Sequence, residues 1–369
     1  GYSSHKNMIY KNILKPIFFK QDPEKIHESM TKIGSILGKF IVTRLLVSSI
    51  LNYKHSSLTQ TVDGITYQNP IGLAAGFDKD AHLTQILPSI GFGFEEIGSV
   101  TALPCKGNPK PRLWRLPKYK SLVVYYGLKN KGCEAIAQKL QNKKFDFPLG
   151  ISIAKTNCKE TVDIDTAIED YYTSLVRLEP FADYITINLS CPNAFGGQPF
   201  TSAELLDALL EKLDTFESNK PRYIKVSPDL SIDQVDDLIS VSENHNIQGF
   251  IISNLLKKRE NSGIPLEEFS KVGHGGLSGK PVQKHANKMI SYVHKKTKGR
   301  FTIIGVGGVF TGKDAYAKIK AGASLIQLVT GLVYGGPTTI KRINQELVVL
   351  LEKDGFSNIS EAVCSNHKK

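Results

Sequence analysis

Eight short apolar segments, each followed by a segment with helical periodicity, constrain the fold of this chain more than any other feature. The apolar segments are 71–75, 94–98, 149–153, 184–188, 223–226, 250–253, 302–305 and 324–328. Most of them are continuously apolar and do not alternate with polar residues, which is typical of parallel strands buried on both faces. Eight successive strand-to-helix units predict an α/β fold, a (β/α)8 TIM barrel.

Helix signals lie between the apolar segments. Apolar residues recur there at steps of three and four, and polar residues before such a stripe predict where the helix begins. Thr201 and Glu204 predict a capping box in front of the leucine stripe at 206–213, and Ser231 with Gln234 predicts another. The helices of the barrel are therefore expected to begin close to these residues.

The N-terminal part of the chain has a different pattern. Residues 8–55 carry apolar positions at helical spacing with lysines on the opposite side, and Asp22-Pro23 predicts an N-cap followed by proline in the first helical position. A short helix and a longer one are expected on the two sides of this cap. We divide the chain into an amphipathic helical extension at 8–55 and a barrel domain at 56–369, which opens with a short β ribbon at 59–67.

Composition narrows the functions that need consideration. With 369 residues, of which 41% are hydrophobic, the chain can form one large core. Its net charge of +12 suits an anionic substrate, a phosphate group or an acidic membrane surface, but no nucleic-acid-binding signature accompanies it. No apolar run approaches the roughly twenty residues of a membrane-spanning helix. Five scattered cysteines indicate neither a disulfide framework nor a metal site, and they fit a reducing compartment.

Polar residues stand where the predicted strands end. Because barrel enzymes carry reactive groups at the C-terminal ends of their strands, these residues are expected to converge on one face. In strand order they are Ala75, Gly76 and Lys79; Ser99 and Thr101; Asn188, Cys191 and Asn193; Lys225; and Ser253 and Asn254.

The last two strands predict a phosphate site. Gly307 and Gly308 follow the seventh strand and Thr330 follows the eighth, which is the usual place for phosphate binding in barrels. Glycines allow backbone amides to approach phosphate oxygens closely. A helix that starts near Thr311 is expected to add its dipole and free N–H groups to the same anion.

Three of the strand-end residues suit redox chemistry. Lys79 and Lys225 could place positive charge beside a flavin ring, which becomes negatively charged on reduction. The ordinary alternative, a surface lysine, is poorer for Lys225 because it stands within an apolar strand. Cys191 lies in a polar loop and is a candidate acid/base or nucleophile, although most single cysteines are inert core residues. The polar segment 256–275 is a candidate mobile lid.

Five stretches of the sequence together resemble one enzyme family. They are 69–79 (NPIGLAAGFDK), 91–101 (GFGFEEIGSVT), 107–112 (GNPKPR), 275–279 (GGLSG) and 305–312 together with 321–325. These motifs are similar to those of dihydroorotate dehydrogenases, and the resemblance covers nearly the whole chain. In that family FMN lies over the barrel mouth, a base removes a proton from C5 of dihydroorotate, and hydride passes from C6 to FMN.

The resemblance implies a role for each matching residue. Cys191 matches the base, and the implied substrate ligands are Lys79, Asn188, Asn193 and Asn254. The implied FMN site consists of Ala75, Gly76, Lys79, Thr101, Asn188, Lys225, Ser253, Gly276, Gly307, Gly308 and Thr330. No metal is expected.

The helical extension resembles that of the quinone-linked, membrane-associated class, in which two helices form a hydrophobic tunnel to the flavin. The matching residues are His27, in the stretch DPEKIH, and Arg115, which resembles an arginine at the inner end of the tunnel. The resemblance implies a quinone acceptor and a role in de novo pyrimidine biosynthesis. It also implies peripheral contact, through the N-terminal helices, with a bacterial cytoplasmic membrane or the mitochondrial inner membrane.

Four positions depart from the quinone-linked pattern. Cys191 stands where that class has serine and matches the soluble class instead. Val124 and Leu255 replace an asparagine and a threonine that bind the substrate, and Ser152 replaces an asparagine that contacts the flavin. Because the thiol has a lower intrinsic pKa than a serine hydroxyl, base catalysis is expected to tolerate lower pH and to be sensitive to alkylation.

Two alternatives remain open from the sequence. Val124 and Leu255 make the substrate pocket more apolar, which would favour an FMN oxidoreductase of the same fold that acts on another cyclic amide or enone. The chain could also be a non-catalytic flavin-binding or membrane-binding relative, since a fold alone does not establish a function.

Overall fold

The computed structural model describes residues 10–189 and 196–367, and its centre is a closed barrel of eight parallel strands. In chain order the strands are β1 (Gln60–Val62), β2 (Ile65–Tyr67), β3 (Ile71–Leu73), β4 (Phe94–Val100), β5 (Leu113–Leu116), β6 (Ser121–Val124), β7 (Leu149–Ile153), β8 (Tyr184–Asn188), β9 (Arg222–Val226), β10 (Gly249–Ile252), β11 (Gly276–Leu277), β12 (Thr302–Val306) and β13 (Leu325–Leu328). The order around the barrel is β3, β4, β7, β8, β9, β10, β12 and β13. Each predicted barrel strand is present, and the TIM-barrel prediction is confirmed.

Helices cover the outside of the barrel. In chain order they are α1 (Lys15–Phe19), α2 (Pro23–Lys39), α3 (Ile41–Leu51), α4 (Leu87–Ile90), α5 (Cys133–Leu140), α6 (Ile164–Leu178), α7 (Ala203–Asp214), α8 (Ile232–Ser242), α9 (Gln283–Thr297), α10 (Gly312–Ala321), α11 (Thr330–Gly335), α12 (Thr339–Asp354) and α13 (Ile359–Ala362). The apolar faces of α4–α13 pack against the outward-pointing residues of the strands and form the main hydrophobic core, whereas α1–α3 leave several apolar side chains exposed.

Aromatic side chains fill the lower part of the barrel interior. Phe94, Tyr184 and Tyr223 pack edge to face there, with neighbouring ring centroids 5.3–6.5 Å apart. Tyr67, at the end of the hairpin formed by β1 and β2, packs against Phe94 and closes this end of the barrel. The hairpin confirms the predicted β ribbon, and the filled interior leaves the opposite end of the barrel for ligands.

A small antiparallel sheet of β5, β6 and β11 was not predicted from the sequence. Gly276 pairs with Val124 in this sheet, and Leu256 forms a further bridge to Leu277. The segment after β10, the candidate lid, packs the buried Phe269 against the same sheet. This segment therefore packs on the small sheet, while its role as a mobile lid stays a prediction.

The predicted capping box at Thr201 is wrong, because α7 begins one residue later. Ser202 is its N-cap and accepts a hydrogen bond from the backbone N–H of Leu205. The Thr201 hydroxyl instead donates to the carbonyl of Gln198 within a preceding 3-10 turn, at 2.8 Å. The capping box of Ser231 and Gln234 is confirmed at α8.

The longer helix expected in the extension is two helices. Asp22 caps α2 as predicted. At Phe40 the backbone is extended, and the chain bends by 112° between α2 and α3. The Thr43 hydroxyl donates to the carbonyls of Phe40 and Leu37, and such side-chain bonds compete with helical ones. In the described part of the chain no single helix has the length and apolar character to cross a membrane; α2 and α3 meet these criteria only as a bent pair.

A buried ion pair fastens the extension to the barrel. Glu24, in the first turn of α2, accepts hydrogen bonds from Nε and Nη2 of Arg112, the latter at 2.7 Å. Arg112 also donates to the carbonyls of Lys106 and Asn108. Burial alone would raise the pKa of Glu24, but the hydrogen bond and charge of Arg112 hold that pKa below its usual range.

Candidate active site

The largest group of predicted site residues meets in one cleft at the C-terminal ends of the barrel strands. The cleft has a volume of about 1140 Å³ including its open mouth. Ten of its lining residues were assigned from the sequence to the FMN or substrate site: Ala75, Gly76, Lys79, Asn188, Lys225, Ser253, Asn254, Gly307, Gly308 and Thr330. The barrel topology therefore brings together residues that are up to 255 positions apart in the sequence, from Ala75 to Thr330.

Four polar side chains form a chain of hydrogen bonds across the floor of the cleft. Asn254 donates to Oδ1 of Asn188 at 3.2 Å, and Asn188 donates to the hydroxyl of Ser99 at 2.9 Å. Ser99 is in turn 2.8 Å from the hydroxyl of Ser152. These contacts hold both amide groups in fixed orientations, as a planar polar ligand requires.

Lys225 brings a cation to the same floor. It lies on β9 opposite Asn188 of β8, and its side chain is only 5% exposed. Burial lowers the pKa of Lys225, while the charge of Glu96 opposes that effect. Glu96 lies inside the barrel, where its carboxylate accepts hydrogen bonds from Tyr184, Thr186 and Gln327.

Lys79 closes one side of the cleft. Its Nζ donates to the carbonyl of Gly76 at 2.7 Å and lies 3.9 Å from the ring centre of Tyr126. Burial lowers the pKa of Lys79 to about 8, and the positive charge of Lys129 contributes in the same direction. A cation over an aromatic face is stabilised by the ring electrons, so Tyr126 compensates part of the cost of burial.

The opposite end of the cleft is shaped by glycines. Gly307 and Gly308 have φ angles of 114° and 70°, which favour residues without a side chain, and a Cβ on Gly308 would approach Cβ of Gln283 to 2.5 Å. The hydroxyls of Ser278 and Thr330 lie 2.7 Å apart beside them. Backbone amides and small hydroxyls of this kind suit a phosphate group.

The helix near Thr311 does not contribute as expected. The N–H groups of Phe310 and Thr311, just before this helix, donate to the carboxylate of Asp314, and the first N–H of the helix, that of Gly312, donates to Glu346. The predicted contribution of this helix to the phosphate site is wrong, because carboxylates of the chain itself already occupy these donors.

Two assigned cofactor residues lie behind the cleft wall. The Thr101 hydroxyl accepts from Asn130 at 2.8 Å, and Gly276 is covered by the side chain of Leu255, to which a Cβ would come within 2.6 Å. Their role in cofactor binding stays a prediction. Cys191 and Asn193 lie outside the described residues.

An apolar wall faces the chain of amides. It contains Val124 and Leu255, at the two positions that depart from the family pattern, together with Leu122 and Leu128. In this cleft the polar contacts to a substrate therefore come mainly from the side of Asn188 and Asn254.

A second cavity lies between α2 and the loop that follows β3. Its lining includes His27, Phe77, Lys79, Tyr126 and Lys129, the last three of which also line the active-site cleft. The His27 ring packs 4.6 Å from the Phe77 ring, and burial lowers the pKa of His27 to about 3, so the ring is neutral at physiological pH. The two cavities thus share a wall.

Arg115 lies apart from this second cavity. Its guanidinium is 4.7 Å from the ring centre of Phe19 and donates to the carbonyl of Gln21 at 2.8 Å. It therefore joins the end of α1 to the small sheet. Arg115 resembles the tunnel arginine by its position in the sequence.

Comparison with known proteins decides the family. The profile of the family described as dihydroorotate dehydrogenase matches residues 57–351. This chain belongs to the dihydroorotate dehydrogenase family. A relative from Trichodesmium erythraeum, named dihydroorotate dehydrogenase (quinone), is 38% identical over 96% of this chain and 98% of its own. A relative of the same name from Acaryochloris marina is 35% identical over 96% of this chain and 99% of its own.

Solved structures agree with this family membership. The dihydroorotate dehydrogenase of Eimeria tenella in complex with ferulenol has a TM-score of 0.83 and 28% sequence identity, covering 94% of this chain and 96% of its own. The ligand-free form of the Eimeria enzyme has a TM-score of 0.81 at the same identity. The helical extension is included in these matches, because they cover almost the entire chain.

Dihydroorotate dehydrogenases use FMN, and the cleft of this chain fits that cofactor. The glycine end suits a phosphate, and the ammonium groups of the half-buried Lys79 and the buried Lys225 provide positive charge for a ring that accepts electrons. Tyr126, Ser278 and Gly279 also line the cleft and were not predicted from the sequence. The last two stand in the stretch GGLSG that carried the resemblance, which was a usable signal.

Proposed function

We propose that this chain oxidises dihydroorotate to orotate and passes the electrons to a quinone, in the de novo synthesis of pyrimidines. The observation that carries the proposal is the fixed pair of amides, Asn188 and Asn254, beside the buried ammonium of Lys225 in a cleft shaped for FMN. The part of the dihydroorotate ring that contains the amide groups is planar, and the molecule also carries a carboxylate. These groups suit amide and ammonium partners.

Cys191 is the proposed base. As a thiolate it removes the proton from C5 of dihydroorotate, the hydride leaves C6, and the C5–C6 double bond of orotate forms. The glycine end of the cleft and Lys225 would hold FMN, which when bound would supply the hydride acceptor for this step and the two-electron reductant for a quinone. Asn188 and Asn254 hold the substrate ring during this step, and Lys225 stabilises the negative charge that develops beside it.

The quinone is proposed to reach the flavin from the second cavity. Lys79 and Tyr126 form the wall between that cavity and the cleft, so an acceptor in the second cavity lies close to the flavin site.

The extension is proposed to contact the membrane peripherally, since α3 exposes Ile41, Val42 and Leu45 by 59–72%. An amphipathic helix with such a face lies in the plane of a membrane surface.

Replacement of the base tests the proposal. Cys191→Ser is expected to slow turnover of dihydroorotate at neutral pH by about a hundred-fold or more, because serine is a much weaker acid than cysteine. Cys158→Ser, at a partly exposed cysteine, is the matched control and should keep full activity. Iodoacetamide should inactivate the wild type and the control but leave the residual activity of Cys191→Ser unchanged. Equal activity of the three proteins would refute the assignment.

A second substrate class is favoured by the apolar wall. With Val124 and Leu255 in place of hydrogen-bonding residues, the cleft suits a cyclic amide or enone with fewer polar groups on that side. One neutral hydrogen bond contributes about 1 kcal/mol, so two missing bonds weaken binding of dihydroorotate by roughly thirty-fold.

The double variant Val124→Asn, Leu255→Thr separates the two candidates. If dihydroorotate is the substrate in its present cleft, the wild type turns it over with a high kcat/KM and the variant brings little gain. If another ring is the substrate, the wild type is slow with dihydroorotate and the variant improves kcat/KM by about ten-fold or more.

A further inference from the structure

A strongly basic groove lies beside the active-site cleft but is not part of it. Five lysines line it, Lys118, Lys120, Lys280, Lys284 and Lys313, and the lining includes one carboxylate, that of Asp314. We call this surface the basic groove. Including its open mouth it encloses about 1500 Å³. Neither the flavin nor the substrate proposed above uses it.

The positive charge of the basic groove is only partly compensated. Lys280 lies 3.7 Å from Asp314, and Lys118 lies 3.8 Å from Glu268. Asp314 also accepts from Gln283 and from the backbone of Thr311, so its carboxylate is shared among several donors. A groove with this charge attracts anions, and phosphate groups above all.

Three of the five lysines carry the uncompensated charge. Lys120, Lys284 and Lys313 are exposed, and none of them forms a salt bridge with any carboxylate in 10–189 or 196–367. The nearby Lys15 of α1 adds to the same field: its pKa is lowered by burial and by the charges of Lys11 and Lys120.

The basic groove is continuous with the apolar surface of the extension. Nζ of Lys120 lies 5.8 Å from the ring centre of Phe310, and the Phe310 ring packs 6.3 Å from that of Tyr334. Nζ of Lys15 lies over the other side of this run, 5.0 Å from the Tyr334 ring centre. On the two sides of Lys15 along the chain, Ile13 and Ile17 are 55% and 50% exposed to solvent. Apolar side chains and unpaired lysines therefore lie side by side on one surface.

We propose that the basic groove binds the phosphate headgroup of an anionic phospholipid while the apolar side chains of the extension lie in the same membrane surface. The inference rests on the membrane contact of the proposed function. The electrostatic attraction between a lysine and an anionic bilayer falls off within about 10 Å. The lysines of a groove therefore strengthen membrane binding only if the groove lies next to the apolar contact. Headgroup binding would orient the protein on the membrane and direct the second cavity towards it.

Vesicle binding by the FMN-loaded full chain tests this inference. Partition is measured on vesicles of phosphatidylcholine alone and on vesicles with about 30% phosphatidylglycerol, for the wild type and for Lys120→Gln/Lys284→Gln/Lys313→Gln. The triple variant is expected to lose about ten-fold or more of its partition on the anionic vesicles and none on the neutral ones. These side chains are exposed, so the fold is unaffected.

A matched variant removes the same charge elsewhere. Lys143→Gln/Lys144→Gln/Lys353→Gln changes three exposed lysines, two of which precede β7 and one of which ends α12, at the opposite end of the barrel. It should keep nearly all of its anionic partition. Equal losses in the two variants would overturn the inference and indicate an effect of net charge.

The remaining outcomes separate the lipid from other sources of phosphate and from the membrane contact itself. Displacement from anionic vesicles by millimolar inorganic phosphate, but not by chloride at equal ionic strength, would mean that the basic groove is a site for soluble anions and would overturn the inference. If the wild type binds anionic vesicles only, and the triple variant loses that binding, headgroup recognition stands while the apolar contact fails. Binding to neither kind of vesicle refutes both.

Discussion

Lys79 and Tyr126 form the wall shared by the two cavities, and in the proposed function the two half-reactions meet at this wall. The ammonium group lies 3.9 Å above the phenol ring, and burial lowers its pKa to about 8. It thus retains its charge at neutral pH but stands close to titration. Small changes in its surroundings therefore alter how much charge the flavin site receives.

His27 gives the residue-scale prediction. Its folded pKa of about 3 lies below the value of 6.5 expected when unfolded, so between these values the unfolded chain binds a proton that the folded chain does not. Stability therefore falls as pH is lowered from about 6.5. Between pH 7 and pH 5 this costs up to about 2 kcal/mol.

His27→Phe keeps the ring contact with Phe77 and removes the titrating group. Its unfolding free energy, measured by urea denaturation, should fall less than that of the wild type between pH 7 and pH 5. His55→Phe, at an exposed histidine, is the control and should follow the wild type. The same acid dependence in His27→Phe and wild type would contradict the account.

At the scale of elements, the buried ion pair of Glu24 and Arg112 is one of the contacts that hold the extension on the barrel. Glu24→Ala leaves the Arg112 guanidinium buried without its carboxylate and should cost about 3–5 kcal/mol of stability. Thermal unfolding and limited proteolysis of the extension measure this. Glu134→Ala breaks the exposed pair with Arg177 and should cost far less stability, because solvent screens an exposed ion pair. Similar losses in the two variants would show that the Glu24 pair does not fasten α2.

The exposed face of α3 gives a second element-scale prediction. Val42→Ser/Leu45→Ser/Leu46→Ser should weaken partition to neutral phosphatidylcholine vesicles at least ten-fold, because each side chain loses apolar area buried in the bilayer. Val349→Ser, at a side chain of α12 that is 63% exposed, is the control. Unchanged vesicle binding of the triple variant would exclude α3 from the membrane contact.

The sequence was informative where a local pattern determines the structure. Continuous apolar runs predicted all eight barrel strands, and the strand-end rule placed Asn188, Lys225 and Asn254 on one face. The break at Phe40 was not predicted, because the apolar periodicity continues through it and only the hydroxyl contacts of Thr43 reveal it. The sheet of β5, β6 and β11 was missed because its strands are short and because β11 lies far from β5 and β6 in the chain.

Within the site, contacts between distant residues were the part that sequence analysis did not reach. Nothing near Gly276 indicates that Leu255 covers it, and nothing near Lys79 indicates that Tyr126 lies beneath its ammonium group. The early N–H groups of α10 were assigned to a phosphate, yet Glu346, which occupies one of them, is 34 residues away. Such pairings depend on packing of whole elements.

At the scale of the whole molecule, the active-site cleft, the second cavity and the extension lie one after another. The active-site cleft opens at the end of the barrel, the second cavity lies behind its wall, and the extension covers that cavity with an apolar face outside. In the proposed function, electrons enter from dihydroorotate on one side of the flavin and leave to a quinone on the other. Dihydroorotate and the quinone therefore need not bind in the same cavity.

Anaerobic mixing of the FMN-loaded protein with dihydroorotate, followed by a short-chain quinone, tests this account most directly. The account predicts rapid loss of the oxidised-flavin absorbance on addition of dihydroorotate, formation of one orotate per flavin, and return of the absorbance when the quinone is added. An absorbance that stays unchanged with dihydroorotate would contradict it and would mean that Val124 and Leu255 have given the cleft a different substrate.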